Sequence, residues 1–267
     1  MRSIAFMNQK GGVGKTTCAV NLGAALAETG EKVLLIDMDP QANLSLHLDI
    51  DIHDLEESTY SVLCARTPVR KAVLPDVLER LWVLPANIDL SGAEVKMVSA
   101  VGRESVLRDS LRPFLAEESF DFVLIDCPPS LGLLALNALT AVEEIFIPLQ
   151  TEFFALQGMS RLLEVVDLIA ERLNASLRVS VIIATMFDSR TNLSREVLDE
   201  IRKYFGDKVS ETVVRTNVRL AEAPSHGKTV LNYAPGSHGA EDFRNLAQEV
   251  LRLRTSESGV RNEEKQA

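Results

Sequence analysis

Residues 8–17 read Asn-Gln-Lys-Gly-Gly-Val-Gly-Lys-Thr-Thr. Lysines and hydroxyls set among glycines have the makings of a phosphate cradle. Glycines let successive backbone N–H groups turn inward on an anion, and a following helix N-terminus adds a positive field. Gly11, Gly12, Val13, Gly14 and Thr17 would supply that backbone. Lys15 would reach the β- and γ-phosphates, and the Thr16 hydroxyl would ligate Mg²⁺. The common loop carries a glycine five residues before Gly14, where this chain has Gln9. It has instead a second lysine, Lys10, before Gly11. Lys10 is either a solvated surface charge or a group that reaches a phosphate held by a second copy. In the second case it would stabilise transition-state charge as an arginine finger does.

Two carboxylate segments complete the chemistry. Asp37-Met38-Asp39-Pro40-Gln41 follows an apolar run. Carboxylates just past a strand end, beside a phosphate loop, would face the γ-phosphate and the metal. Asp39 is the candidate to orient the attacking water or accept its proton. The run Phe122 to Ile125 ends in Asp126-Cys127-Pro128-Pro129. Asp126 would hold a water of the Mg²⁺ shell. The prolines would stiffen a loop that answers to the γ-phosphate.

These groups need elements to position them. Strand-like runs fall at 2–7, 32–36, 80–84, 121–125, 144–148, 178–186 and 209–213. Several are continuously apolar, such as Val33-Leu34-Leu35-Ile36, as strands covered on both faces are. Helical spacing lies between them. It runs from Ala19 to Glu28 before Gly30, over 153–173, and over 191–205, where Leu193, Val197, Leu198, Ile201, Tyr204 and Phe205 share a face. The alternation predicts an α/β fold with a doubly wound, mostly parallel sheet flanked by helices, its ligand at the strands' carboxyl ends. One domain is expected over 1–254, with a less regular excursion at 43–76. A polar tail at 255–267 is expected to be disordered.

Composition sets the compartment and limits the partners. A chain of 267 residues, 46% hydrophobic, can bury one large core. The net charge of −10 argues against coating nucleic acid with the whole surface, though not against a local basic patch. Cys18, Cys64 and Cys127 form no CxxC pair and read as buried thiols in a reducing compartment. No signal peptide and no 18-residue apolar run are evident, so a cytoplasmic protein is expected.

The stretch 10–17, Lys-Gly-Gly-Val-Gly-Lys-Thr-Thr, resembles the deviant Walker A box of the ParA/Soj and MinD group of ATPases. That resemblance implies a deviant P-loop ATPase fold, ATP and Mg²⁺ as cofactors, and an ATP-dependent sandwich homodimer in which Lys10 acts across the interface. Asp37 to Gln41 is similar to the group's Asp-x-Asp-Pro-Gln box, where the second Asp serves hydrolysis, and 122–126 to its Walker B box. The segment from Pro148 to Ala155 resembles the group's stretch near the dimer face and is expected to open the longest helix. Glu152 is left without a role there.

Residues 178–219 hold eight basic side chains against six acidic ones. On charge alone this reads first as basic residues on solvated helix faces. However, Met186 to Asn192 and Asn217 to Lys228 resemble segments of the chromosomal ParA/Soj subgroup. The resemblance implies that Arg190 and Arg219 contact nonspecific double-stranded DNA, and that Asn217 and Pro224 lie near the adenine and ribose. It further implies a ParB-type centromere-binding partner with a basic N-terminal peptide, and association with the nucleoid when ATP is bound. Two alternatives are weaker. A MinD-type membrane-cycling ATPase would end in an amphipathic helix, but Val260 is the only large apolar residue in 255–267. A metabolic ligase or kinase on the same scaffold would need a small-substrate pocket that no motif marks.

Overall fold

The computed structural model describes residues 1–153, 155–156 and 158–264, with the backbone alone over 254–264. Phe154, Gln157 and residues 265–267 lie outside the described residues. Strands β1 to β7 are Arg2–Phe6, Val33–Asp37, Leu74–Leu78, Leu81–Leu84, Phe122–Asp126, Glu144–Gln150 and Arg178–Thr185. Helices α1 to α11 are Lys15–Glu28, Asn43–His47, Val69–Ala72, Ala93–Met97, Val106–Glu117, Leu133–Ala141, Met159–Arg172, Asn192–Phe205, Val218–Glu222, Val230–Tyr233 and His238–Glu264.

The strands form one seven-stranded sheet in the order β3-β4-β2-β5-β1-β6-β7. Every pairing is parallel except β3 with β4. Alternate side chains of each central strand enter opposite layers. Ile4 and Phe6 join Leu22, Leu26 and Phe243 on the face covered by α1 and α11, while Ala5 and Met7 join Leu107, Leu111 and Leu139 on the other. Two covered faces explain why these strands read as unbroken apolar runs.

Four expectations needed revision. β3 is an additional edge strand at 74–78, hidden in sequence by Pro75 and Asp76, whose types suit only an exposed edge. Residues 209–213 do not form a strand. Only isolated bridges, Ile182 to Val209 and Phe187 to Arg215, extend β7 there. The Glu249 carboxylate takes the amide hydrogens of Glu211 and Thr212 that a strand would have offered to a neighbour. α7 begins at Met159, after Gly158 in a left-handed conformation with φ 86°, so Pro148 to Gln150 end β6 instead of opening a helix. The longest helix is α11, and its backbone runs to Glu264 through most of the stretch expected as a polar tail.

Candidate functional site

The sheet brings the two carboxylate segments to the phosphate loop. Phe6 of β1, Asp126 of β5 and Asp37 of β2 stand side by side in register. The chain after Phe6 therefore leaves the sheet at the same edge as both aspartates. It then turns through Gly12 (φ 75°) and Gly14 (φ 91°), backbone angles that favour glycine, and enters α1 at Lys15. Asn8 braces the turn, donating to the Pro148 carbonyl at 2.7 Å and accepting from the Lys10 amide at 3.0 Å. Thr185 at the end of β7 donates its hydroxyl to the Val13 carbonyl at 2.9 Å.

Lys15 is buried, and burial lowers its pKa against the opposing pull of Asp126 and Asp39. Its ammonium points back along the loop, 3.4 Å from the Lys10 carbonyl. The Thr16 hydroxyl donates to Asp126 Oδ2 at 2.6 Å. Asp126 is fully buried, and Oδ1 has no hydrogen-bond partner among the described residues. Burial first, then the neighbouring Asp37 charge, pushes this carboxyl well above the usual range. A buried carboxylate with one oxygen open beside a threonine hydroxyl is unfavourable unless a cation or its water completes it. The residues present fit Mg²⁺ at that position.

Asp39 is nearly buried and accepts from the Gln41 amide at 2.9 Å. Its own amide donates to Asp37 Oδ1 at 3.1 Å. Asp37 is fully buried, and burial pushes its pKa up to about 6 despite hydrogen bonds from Ser45 and Asp39. Asp37 thus braces the Asp39 backbone from behind.

Gly11, Gly12 and Lys10 are exposed, on the outward side of the loop. Lys10 Nζ lies 3.0 Å from Glu152 Oε2, and both side chains are about half exposed. The structure thus gives Glu152, left without a role in sequence, a definite partner.

Beyond Gly14 a mostly apolar cavity of about 260 Å³ opens between Thr17, Cys18, Met186, Asn217 and Leu220. Asn217 lines it. Pro224 stands outside that lining, in the turn Ala223–His226. Asn21, which sequence reasoning passed over, ties this side to α1. It donates to the Thr17 carbonyl at 2.8 Å and accepts from the Val230 amide at 2.7 Å. A larger open trough of about 660 Å³ lies elsewhere, between Thr212 and α11. Arg215 and Arg252 line it beside Glu211, Glu241 and Asp242, and Arg215 is already paired with the last two.

Arg190 and Arg219 are exposed, on chain segments that are tied to each other. The Phe187 amide bonds the Val214 carbonyl and the Thr216 amide bonds the Phe187 carbonyl, zipping the two stretches together. Each arginine rests on a local carboxylate. Arg190 sits 2.7 Å from Asp188 and Arg219 2.7 Å from Glu222. The Arg190 hydrogen bonds hold the Asp188 carboxyl down to about 2. Arg215, counted among the basic residues, is instead committed to Asp242 and Glu241 of α11.

The chain matches the family model described as an AAA domain over residues 1–179. It is 48% identical over 247 residues to the sporulation initiation inhibitor protein Soj of Bacillus subtilis, covering 92% of this chain and 97% of that one. It is 46% identical over 257 residues to the chromosome partitioning protein ParA of Myxococcus xanthus, covering 96% and 90%. Among solved structures, one titled cobyrinic acid a,c-diamide synthase from Mycobacterium smegmatis, with bound ATP analog and magnesium, superposes with a TM-score of 0.83. That match is at 36% identity and covers 96% of both chains. A phosphate loop with two lysines, carboxylates delivered in register from β2 and β5, and relatedness over nearly the full length agree: the chain belongs to the ParA/Soj family of partitioning ATPases.

Proposed function

We propose that the chain is a Mg²⁺-dependent ATPase switch that partitions DNA. Two copies close face to face on ATP, the closed dimer grips duplex without sequence preference, and hydrolysis releases it. The observation that carries this reading is the division of labour between the two lysines. Lys15 is buried among the carboxylates, whereas Lys10 stands outside on the exposed glycine turn. One lysine serves the nucleotide held by its own chain, and the other, once it leaves Glu152, can approach one held by a partner.

The steps follow from the side chains. Loop amides from Gly11 to Thr17 and the Lys15 ammonium neutralise the β- and γ-phosphates. Thr16 and a water held by Asp126 would hold Mg²⁺, which withdraws charge from the transferring phosphoryl group. The Asp39 carboxylate orients the attacking water and accepts its proton. Lys10 of the partner copy stabilises the charge that develops as the bond to the leaving oxygen breaks. The apolar cavity beside Asn217 takes the base and ribose. That two relatives are named for chromosome partitioning or sporulation control, and that a neighbour's title records an ATP analog with magnesium, supports the assignment.

Arg190 and Arg219 supply phosphate contacts, and a dimer doubles them. This makes DNA affinity depend on ATP although each monomer binds weakly. A ParB-type partner with a basic peptide is expected to accelerate hydrolysis. The dimer is expected to reside on the nucleoid in a cytoplasmic setting. Among the described residues no helix is long and apolar enough to cross a membrane.

The test is light scattering with a non-hydrolysable ATP analogue and Mg²⁺, with and without random duplex DNA. A dimer that binds duplex with ATP analogue and not with ADP is expected. Monomers that ignore DNA in every nucleotide state would overturn the reading. Turnover stimulated by anionic liposomes instead of DNA would favour membrane cycling.

A further inference from the structure

α2 has only five residues, yet it is hydrogen-bonded at one end to the hydrolytic loop and packed at the other against the turn that follows Arg219. At the first end, the Ser45 amide and hydroxyl both donate to Asp37 Oδ2, at 3.0 and 2.8 Å. The same hydroxyl accepts from the Ala86 amide at 3.0 Å. Asp37 in turn holds the Asp39 amide through its other oxygen. Thr59 pins the Asp37 carbonyl at 2.9 Å, which anchors the end of β2.

At the other end, His47 is buried, with 3% of its surface exposed, and its imidazole faces the Lys228 backbone. Its Nε2 has no partner among the described residues. Asp49 lies against Gly227. A Cβ built at Gly227, where φ is 61°, would meet the Asp49 Cβ at 2.5 Å. The Gly227–Lys228 backbone closes the turn Ala223–His226, which continues α9 directly. Glu222 at the junction holds both Arg219, at 2.7 Å, and the Tyr233 hydroxyl, at 3.2 Å.

Two non-glycine residues in the left-handed region bracket the element, Ala42 at φ 52° and Asp49 at φ 59°. Left-handed angles in residues with side chains persist only where their surroundings enforce them. They mark places where a segment can swing as a unit when those surroundings change.

We propose that α2 is a strut coupling the two sides of the site: Ser45 is a positioning residue for Asp39, and His47 carries movement of the Asp39 loop to the 222–228 turn beside Arg219. The proposal rests on the reading of Asp39 as the hydrolytic carboxylate and of Arg219 as a DNA contact. It adds a physical route by which the γ-phosphate alters the DNA contact.

Two variants and two readouts test it. In Ser45→Ala, kcat for ATP falls about tenfold while KM and ATP affinity stay within about twofold, since Asp39 loses its support but the phosphate cradle is untouched. In His47→Leu, basal kcat without DNA stays within about twofold. What changes is hydrogen exchange over 217–233, compared between ADP and a non-hydrolysable ATP analogue. Both nucleotides occupy the base cavity, so any difference there reports the γ-phosphate. The wild type shows a difference in protection, and His47→Leu reduces it about tenfold, a factor within the usual range of coupling between sites. Gly227→Ala, which displaces Asp49 from the opposite side, produces the same loss and serves if His47→Leu does not fold. An unchanged kcat in Ser45→Ala, or a full ADP-to-ATP difference in a folded His47→Leu or Gly227→Ala protein, overturns the strut. If the wild type shows the exchange difference but binds no duplex, the strut stands and the DNA assignment of Arg219 falls.

Discussion

Lys10 Nζ and Glu152 Oε2 are 3.0 Å apart, so the outward lysine of the phosphate loop is held by a carboxylate of its own chain. Gln150 donates to the other oxygen of Glu152 at 2.6 Å and helps to fix it there. A lysine so engaged must change partners before it can serve a neighbouring active site. Both side chains are about half exposed, so the pair contributes at most about 1 kcal/mol.

Glu152→Gln should therefore favour the closed dimer. The expected gain in ATP-dependent dimerisation is up to about thirtyfold, the equivalent of ~1 kcal/mol in each of the two copies. Sedimentation velocity across a concentration series reads it directly. Unchanged or weaker dimerisation would show that Glu152 does not restrain Lys10.

Asp39→Ala should leave nucleotide binding intact and stop turnover. Removing a positioned general base lowers kcat by about 10²–10⁴-fold. The variant is expected to stay on DNA after ATP is added, seen as slow dissociation in a surface-binding assay. Normal turnover would reassign the role.

Arg190→Ala and Arg219→Ala should each weaken duplex binding similarly across sequences. Each lost phosphate contact lowers the slope of log affinity against log salt by about 1 per copy. Their partners Asp188 and Glu222 are local, so dimer formation should be spared. If either variant melts far below the wild type, that arginine has a structural role.

His47 makes stability depend on pH. Burial lowers its pKa to about 4, from an ordinary value near 6.5. The unfolded chain thus takes up a proton at higher pH than the folded one does. The resulting stability is present above about pH 6.5 and is lost as pH falls toward 4, for roughly 3 kcal/mol in all. Asp37, raised to about 6, acts in the opposite sense, stabilising the fold at low pH and losing that contribution as pH rises through the same window. The comparison is therefore wild type minus His47→Leu. Thermal melts between pH 4 and 7 should show that difference falling with acidification, and a flat difference would mean that the imidazole is not buried in solution.

Much of the site was legible in the sequence because its parts are local. The glycine turn, the strand-end aspartates and the apolar runs each carry their own signal within ten residues. What was hidden depends on distance along the chain or on brevity. α2 fell inside a stretch read as irregular because five residues are too few for a helical period to emerge. β3 was masked by Pro75 and Asp76. The start of α7 was read too early, since Gly158 interrupts an otherwise continuous apolar pattern. The partners of Lys10 and Asn21 lie 142 and 209 residues away, where no spacing rule reaches. In α8, Leu193 and Tyr204 share the predicted apolar face yet are exposed, at 48% and 59%. Periodicity there identified the helix and overstated how much of it is covered.

Arg2 is one of the few charged side chains buried in the core. It donates twice to Glu144, at 2.8 and 2.7 Å, and once to the Val250 carbonyl, at 2.6 Å. A guanidinium in that position is unfavourable by several kcal/mol until all its acceptors arrive. The last of them is made only after every residue of the nucleotide cleft has already been synthesised. The strand that leads into the phosphate loop is therefore completed only by the final helix, so the two ends of the chain share one buried cation.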